Sequence, residues 1–244
     1  MEDNNILAVV LAGGKSKRFG EDKNQTKLGD KTLLEHVLLK ISNRYEEILI
    51  VSSHSIDTKK INNVTIIPDC FDDFGPLAGV LSAMKWVKEN QKSYQWIATF
   101  PSDTPFFETS IIDEYQKRIK LKDSPLYFVK SNKKRHNIFG LWSIELLKPL
   151  ENDLINNNFR KVEDWANKIG VKTIDIETKK FDPFFNINTK EDLEEAKKIL
   201  KKYSQEGANS WKNTPKILPD HFRSIFCLLY TSDAADEEDS VDLG

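Results

Sequence analysis

The chain has 244 residues, 39 % hydrophobic and 30 % charged, with a net charge of −2. That length suits one domain with an extension or two small ones, and the composition supports a globular core under a well-solvated surface. The balanced charge leaves no electrostatic case for nucleic acid or an anionic membrane as partner, and no apolar run approaches the roughly 20 residues of a membrane helix. The amino terminus, Met1-Glu2-Asp3-Asn4-Asn5, is acidic and polar, unlike a signal peptide. Cys70 and Cys227 make neither a disulfide framework nor a zinc pattern. A cytoplasmic protein with free thiols is the expectation.

Ile6 to Ala12 is an apolar run that predicts a buried strand. Its end opens into Gly13-Gly14-Lys15-Ser16-Lys17-Arg18-Phe19-Gly20-Glu21-Asp22-Lys23. Glycines at a strand end let the backbone approach a ligand where a Cβ would clash. Bare amides beside Lys15, Lys17, Arg18 and Lys23 suit a triphosphate at the carboxyl end of a strand. The spacing is not that of a P-loop, because Glu21 follows Gly20, and adjacent glycines depart from the dinucleotide fingerprint. Taken alone, the segment also fits a lysine-rich surface loop with a helix-capping glycine.

Thr32 to Arg44 predicts a helix with Leu33, Leu34, Val37, Leu38 and Ile41 on one face. Ile48 to Val51 and Val64 to Ile67 are strands. The second is followed by Asp69, a carboxylate at a strand's carboxyl end that is equally at home in a turn. Pro76 to Asn90 is a helix whose first position suits proline, and Gly75 and Gly79 would let a planar base come close. Trp96 to Phe100 is a strand, and Pro101-Ser102-Asp103-Thr104-Pro105 then sets Asp103 at the mouth of the sheet. A hard cation held by one carboxylate and by substrate phosphates would fit there, although the same residues are turn formers.

Thr109 to Ile119 is helical, Leu126 to Val129 and Ile138 to Trp142 are strand-like, Ile144 to Leu154 and Arg160 to Ile169 are helical, and Val171 to Ile176 is a short strand. In Phe184-Phe185-Asn186-Ile187-Asn188-Thr189 the asparagines fall on one side of an extended segment. They offer uncharged donors and acceptors to a ligand, or serve to cap the next helix. That helix opens on Thr189-Lys190-Glu191-Asp192, close to a capping box, and runs to about Lys202. Beyond Tyr203, Gly207, Pro215 and Pro219 break the period, and Asp233 to Asp242 is rich in acidic and small residues. Residues 1–204 are expected to form the domain and 205–244 a disordered or non-native tail, since Cys227 to Glu237 reads like translated adapter sequence. A regulatory tail is the alternative. The alternation of strands and helices predicts an α/β fold with a mainly parallel sheet covered on both faces. Ligands in such folds bind outside the strands' carboxyl ends.

Leu11-Ala12-Gly13-Gly14 with Ser16, Arg18, Gly20, Asp22 and Lys23 resembles the signature of the molybdenum cofactor guanylyltransferases (MobA), nucleotidyltransferases with a Rossmann-like three-layer fold. The resemblance continues through Gly75-Pro76-Leu77-Ala78-Gly79, Pro101-Ser102-Asp103-Thr104-Pro105 and Asn186-Ile187-Asn188-Thr189, and so spans nearly all of Ile6 to Tyr203. It implies transfer of GMP from GTP to the terminal phosphate of molybdopterin, with release of pyrophosphate. It implies nucleotide contacts at Leu11, Ala12, Gly13, Gly14, Lys23, Ser52, Asp69, Gly79 and Asp103. It further implies Mg²⁺ on Asp103, catalytic charges at Arg18, Lys23 and Asp103, and acceptor contacts at Asn186 and Asn188. GTP and molybdopterin are the implied partners, with molybdenum-insertion or molybdoenzyme chaperone proteins as further ones. Ser102 stands where relatives often carry Cys, and Asn137, in His136-Asn137-Ile138-Phe139-Gly140-Leu141-Trp142, where they usually carry Pro. No role is assigned to His136 for that reason. Two other readings compete. A molybdopterin cytidylyltransferase typically has Ala where Gly13 stands, and a nucleotide-binding module without turnover would not need Lys23, Asp69 and Asp103.

Overall fold

The first strand, Ile6–Leu11 (β1), is apolar at every position because it is buried on both faces. The computed structural model describes residues 5–13, 26–54, 56, 63–71, 74–178 and 181–211. In chain order after β1 come β2 (Lys27–Leu28), β3 (Lys31–Thr32), α1 (Leu33–Ile41), β4 (Ile48–Val51), β5 (Val64–Ile67), α2 (Pro76–Glu89), β6 (Trp96–Pro101) and α3 (Ser110–Leu121). They are followed by β7 (Leu126–Ser131), β8 (Lys134–Ser143), α4 (Leu147–Ile155), α5 (Val162–Ile169), β9 (Lys172–Asp175) and α6 (Lys190–Trp211). The described strands form a seven-stranded sheet in the order β5-β4-β1-β6-β8-β7-β9, and β2 and β3 form a separate small hairpin.

Alternate side chains of β1 feed two cores. Ile6, Ala8 and Val10 join Val37, Leu38 and Ile41 of α1 and Ile111, Ile112 and Tyr115 of α3. Leu7 and Val9 join Leu77, Val80 and Leu81 of α2, Leu150 and Leu154 of α4, and Trp165 of α5. The result is the expected three layers, with helices on both faces of the sheet. α1 starts at a capping box. Thr32 Oγ1 accepts from the Glu35 N–H at 3.1 Å, and Glu35 Oε2 accepts from the Thr32 N–H at 2.6 Å. At α6 the box is built with Asp192 in place of Glu. Its Oδ2 accepts from the Thr189 N–H at 2.9 Å, and Thr189 Oγ1 accepts from the Asp192 N–H at 3.1 Å.

The sheet is mixed rather than all parallel. β8 runs antiparallel to both β6 and β7, because Asn132 and Lys133 join β7 to β8 in a tight turn with φ of 46° and 65°. Left-handed residues at both centres of a two-residue loop match the twist of a hairpin. Both strands are longer than the apolar runs that announced them, since the added pairs Lys130–Arg135 and Ser131–Lys134 are polar. The segment read as one helix from Ile144 begins instead as a single 3₁₀ turn, Ile144–Leu146, before α4. α6 continues to Trp211, past Lys202, and a glycine such as Gly207 inside a helix costs only about 1 kcal/mol.

Gly140 stands where the sheet leaves no room for a side chain. The pairing of β7 with β8 shifts between Phe128 and Val129, and Trp142 Nε1 donates to Thr99 Oγ1 at 2.9 Å. A Cβ on Gly140 would stand 2.6 Å from Trp142 Nε1 and 2.8 Å from Phe128 Cε1. Gly140→Ala is therefore expected to lower stability by about 1–3 kcal/mol, measurable as a reduced denaturation midpoint with the denaturant slope unchanged.

Candidate active site

Four parallel strands end on one edge. Leu11 pairs with Val51 on one side and Pro101 on the other, and Val51 pairs with Ile67. The ladder runs one step further: Ala12 N–H donates to Val51 O at 3.0 Å, Ser52 N–H to Ile67 O at 3.0 Å and Ser102 N–H to Leu11 O at 3.3 Å. Gly13, Ser52, Asp69 and Asp103 follow directly on these strand ends. β5 and β6, which carry Asp69 and Asp103, are three strand spacings apart in the sheet, on the order of 14 Å. That span suits a ligand with a base at one end and a charged group at the other.

The Asp69 end is a slot between two glycines. Oδ2 of Asp69 lies 4.0 Å from where a Cβ on Gly13 would stand and 3.9 Å from the same point on Gly79. Leu11 completes the slot, with Cδ2 only 3.0 Å from the Gly79 position. The other carboxylate oxygen is held by its own turn. Oδ1 accepts from the Phe71 N–H at 3.3 Å. The Ser82 hydroxyl lies 3.3 Å away, but its one proton goes to the Ala78 carbonyl at 2.8 Å while its oxygen accepts from the Cys70 N–H at 2.8 Å. Gly75, which caps α2 with φ of 70°, makes the turn into that helix in a conformation that favours glycine.

At the Asp103 end, Thr104 links two motifs that lie far apart in the chain. Its hydroxyl is 3.1 Å from Asp103 Oδ1 and 2.8 Å from the Asn186 side-chain oxygen. A hydroxyl has one proton, so both contacts are satisfied together when the Asn186 amide turns its NH₂ to Thr104 and the hydroxyl donates to Asp103. The Ile187 N–H donates to the Asp103 carbonyl at 2.9 Å. Asn186 and Asn188 are both exposed and Ile187 between them is buried, the alternation expected of an extended segment. The Asn188 N–H is used by Asp192 Oδ2 at 2.8 Å. Ser52 is buried and closes its own turn, Oγ accepting from the His54 N–H at 3.1 Å. Gly14, Arg18 and Lys23 lie outside the described residues.

Thr104, which contacts the Asp103 carboxylate, and Ser82, which holds the Cys70 amide beside Asp69, were not singled out in the sequence. Thr104 sat inside a turn motif, and Ser82 looked like one more small residue of an amphipathic helix. His136 is also part of the framework. Its Nε2 is 2.7 Å from Ser131 Oγ, which in turn donates to Asp182 Oδ1 at 3.0 Å, and its ring stacks on Phe184 at 4.6 Å. Burial pushes its pKa down, against the pull of Asp182. A neutral ring thus steadies the segment that leads to Asn186. Among the described residues no three His, Cys, Asp or Glu side chains cluster as a metal site, and no described helix is long and apolar enough to cross a membrane.

Residues 8–169 match the model of the MobA-like NTP transferase domain. The chain belongs to this family. The molybdenum cofactor guanylyltransferase of Rhizobium rhizogenes is 32 % identical over 201 residues, covering 80 % of this chain and 92 % of that protein. Among solved structures, the molybdopterin-guanine dinucleotide biosynthesis protein A of Archaeoglobus fulgidus superposes with a TM-score of 0.65 at 24 % identity, over 80 % of this chain and 99 % of that one. A Mycobacterium tuberculosis protein in complex with manganese shares the fold with a TM-score of 0.55 at 14 % identity, over 80 % and 98 % of the two chains. A divalent metal is consistent with this transferase family.

Thr104→Val keeps the shape of the side chain and removes its hydroxyl. A hydrogen bond to a charged group contributes about 1.5–3 kcal/mol. Nucleotide-transfer activity is expected to fall by at least about tenfold, with a rise in the divalent-metal concentration for half-maximal rate. Titration of the rate against metal checks it.

Proposed function

We infer that the chain is a molybdenum cofactor guanylyltransferase. It transfers GMP from GTP to the terminal phosphate of molybdopterin, releases pyrophosphate and forms the guanine dinucleotide cofactor. The observation that carries this reading is the convergence of Gly13, Gly79 and the Asp69 carboxylate in one slot on the sheet edge that also carries Asp103. A carboxylate accepts two hydrogen bonds side by side, which matches the N1–H and exocyclic N–H of guanine. Absence of a Cβ at Gly13 leaves width for a purine, while Leu11 Cδ2 packs over the Gly79 position. The names of relatives about 30 % identical over most of the chain support the same conclusion.

The attacking group is a phosphate, already anionic near neutral pH. No nucleophile–base pair is needed, and rate enhancement comes from alignment and charge neutralisation at the α-phosphorus. We assign the base end to Asp69, Gly13 and Gly79 and the triphosphate end to Asp103 with Arg18, Lys23 and the Gly13–Gly14 amides. Arg18 can engage phosphate oxygens in pairs, which a lysine cannot. Asp103 is the residue that would hold Mg²⁺. One carboxylate with substrate phosphates and waters is a binding mode this ion favours, and the metal would offset the charge of the departing pyrophosphate. We assign the acceptor phosphate to Asn186, tied to Asp103 through Thr104, and to Asn188 on the same exposed side. Residues 1–204 are assigned to the catalytic domain. Leu200, packed on the core under α6, precedes that limit.

Two experiments test the assignment. Asp103→Asn should fold normally and lose most activity, and turnover that stays unchanged across Mg²⁺ concentrations would remove Asp103 from the metal site. Among the described residues a Cβ on Gly13 would meet nothing closer than Asp69 Oδ2 at 4.0 Å, so Gly13→Ala should also fold. Its methyl group would intrude between the base and Asp69. One methyl in such a pocket discriminates by roughly 1–3 kcal/mol, so GTP should bind about tenfold or more weaker and CTP much less affected. Calorimetric titration of both nucleotides decides it, and tighter binding of CTP than GTP by the unmutated protein would overturn the guanylyl reading.

A further inference from the structure

The segment between Asp69 and α2 is braced from outside the nucleotide slot. Phe71 and Phe74 stack with ring centroids 5.1 Å apart. The guanidinium carbon of Arg160 lies 3.7 Å from the centroid of Phe74, and the Lys85 ammonium 5.7 Å from that of Phe71. The main-chain carbonyl of Arg160 comes within 3.6 Å of where a Cβ on Gly75 would stand. Arg160 therefore meets this segment twice, by its side chain at Phe74 and by its backbone at Gly75.

Arg160 is itself firmly held. Its Nη1 donates to the carbonyls of Leu154 at 3.0 Å and Phe159 at 2.7 Å. The turn that carries it is built on Asp153, which is buried. That carboxylate accepts from Asn157 Nδ2 at 2.7 Å, Trp165 Nε1 at 2.9 Å and Lys168 Nζ at 2.5 Å, and the Asp153 carbonyl accepts from the Phe159 N–H at 3.1 Å. Burial opposes ionisation of Asp153, but these donors outweigh it and hold its carboxyl below the usual range. A planar guanidinium pinned at two carbonyls presents a fixed face to Phe74. A lysine has no such plane and could not stack while donating to both carbonyls.

We propose that Arg160 is a positioning residue of the nucleotide site, fixing the Asp69–Gly79 segment so that the Asp69 carboxylate stands ready over Gly13 and Gly79. The inference rests on the reading of this slot as the site of the GTP base. Without the brace, the segment samples other conformations, and apparent affinity falls by the fraction of time the slot is formed. Chemistry at the far end of the ligand is untouched, because Asp103 lies across the sheet edge from this segment.

Kinetics of the full chain with GTP varied at saturating acceptor and Mg²⁺, together with calorimetric GTP binding, test the proposal on Arg160→Ala, Arg160→Lys, Phe74→Leu and the double variant Arg160→Ala/Phe74→Leu. Arg160→Ala and Phe74→Leu should each raise KM and Kd for GTP by about tenfold while kcat stays nearly unchanged. Arg160→Lys should recover only part of the loss. The double variant should be little worse than the weaker single one, as expected for two sides of one contact. A residue needed only for folding would reduce stability and the active fraction, lowering the apparent kcat rather than raising KM. If Arg160→Ala does not fold, Phe74→Leu, which leaves both carbonyl bonds of Arg160 in place, carries the test. A fall in kcat at constant KM, strictly additive losses, or unchanged GTP affinity in the folded single variants would overturn the positioning role alone. Failure of the unmutated protein to bind GTP would overturn the guanylyl reading and this inference with it.

Discussion

Parallel pairing of β1 with both β4 and β6 governs the rest of this structure. Parallel strands bring their carboxyl ends to a common edge, so the loops after β1, β4, β5 and β6 must leave the sheet side by side. The same pairing needs both faces covered, which is why β1 and β4 are apolar at every position and why the helices divide between two cores. β8 strengthens the arrangement by running the other way. Its Thr99–Gly140 pairing sends the residues before Gly140 toward the same edge, so His136 and the β7–β8 turn reach the side of the molecule that carries Asp103. A reversed strand thus adds its starting end to an edge otherwise built from strand ends.

Along that edge, apolar burial sets position and hydrogen bonds set orientation. Asp103 is followed closely by Phe106, and Asn186 by Ile187. Phe106 and Ile187 are both fully buried in a third, smaller core with Leu28, Leu33 and Ala196. Burying each such side chain contributes about 1.5–3 kcal/mol whatever its direction, whereas the Thr104 bond to a carboxylate contributes a similar amount only at its own geometry. The core therefore decides where the two segments lie, and the Thr104 hydroxyl decides how their polar groups face one another. This small core also joins the hairpin of β2 and β3, the Asp103 turn and the start of α6. The exit of the glycine–lysine loop, the Asp103 turn and the asparagine segment thus share one support. Asp69 follows the same division of labour: β5 carries it to the edge, and the Phe71 amide turns its carboxylate.

Much of this was legible from the chain alone, because its signals are local. Apolar periodicity marked most long elements to within a few residues, although α6 runs well past the expected Lys202, and Thr189 marked one helix start through a capping pattern completed within four residues. The left-handed turn at Asn132-Lys133 was the chief local feature left unread. Without it β7 and β8 looked like separate short strands, and the reversal in the sheet was invisible. Asn tolerates that conformation better than most residues, but one Asn before a lysine is a weak sign, and the polar pairs beyond it hid the strand ends.

By itself the sequence determined the α/β class, the placement of the glycine, aspartate and asparagine motifs at element ends, and through them the family. Each of these rests on residues that are neighbours along the chain. The tertiary structure alone decided the strand order, the opposition of Gly13 and Gly79 across the Asp69 carboxylate, the tie between Asp103 and Asn186 through Thr104, and the brace of Arg160 on Phe74. Those relations join residues 82 positions apart in the case of Thr104 and Asn186, and 86 in the case of Arg160 and Phe74 (160 − 74). No periodicity or spacing encodes such a meeting. It exists only once burial of the sheet's two faces has closed the loops between them.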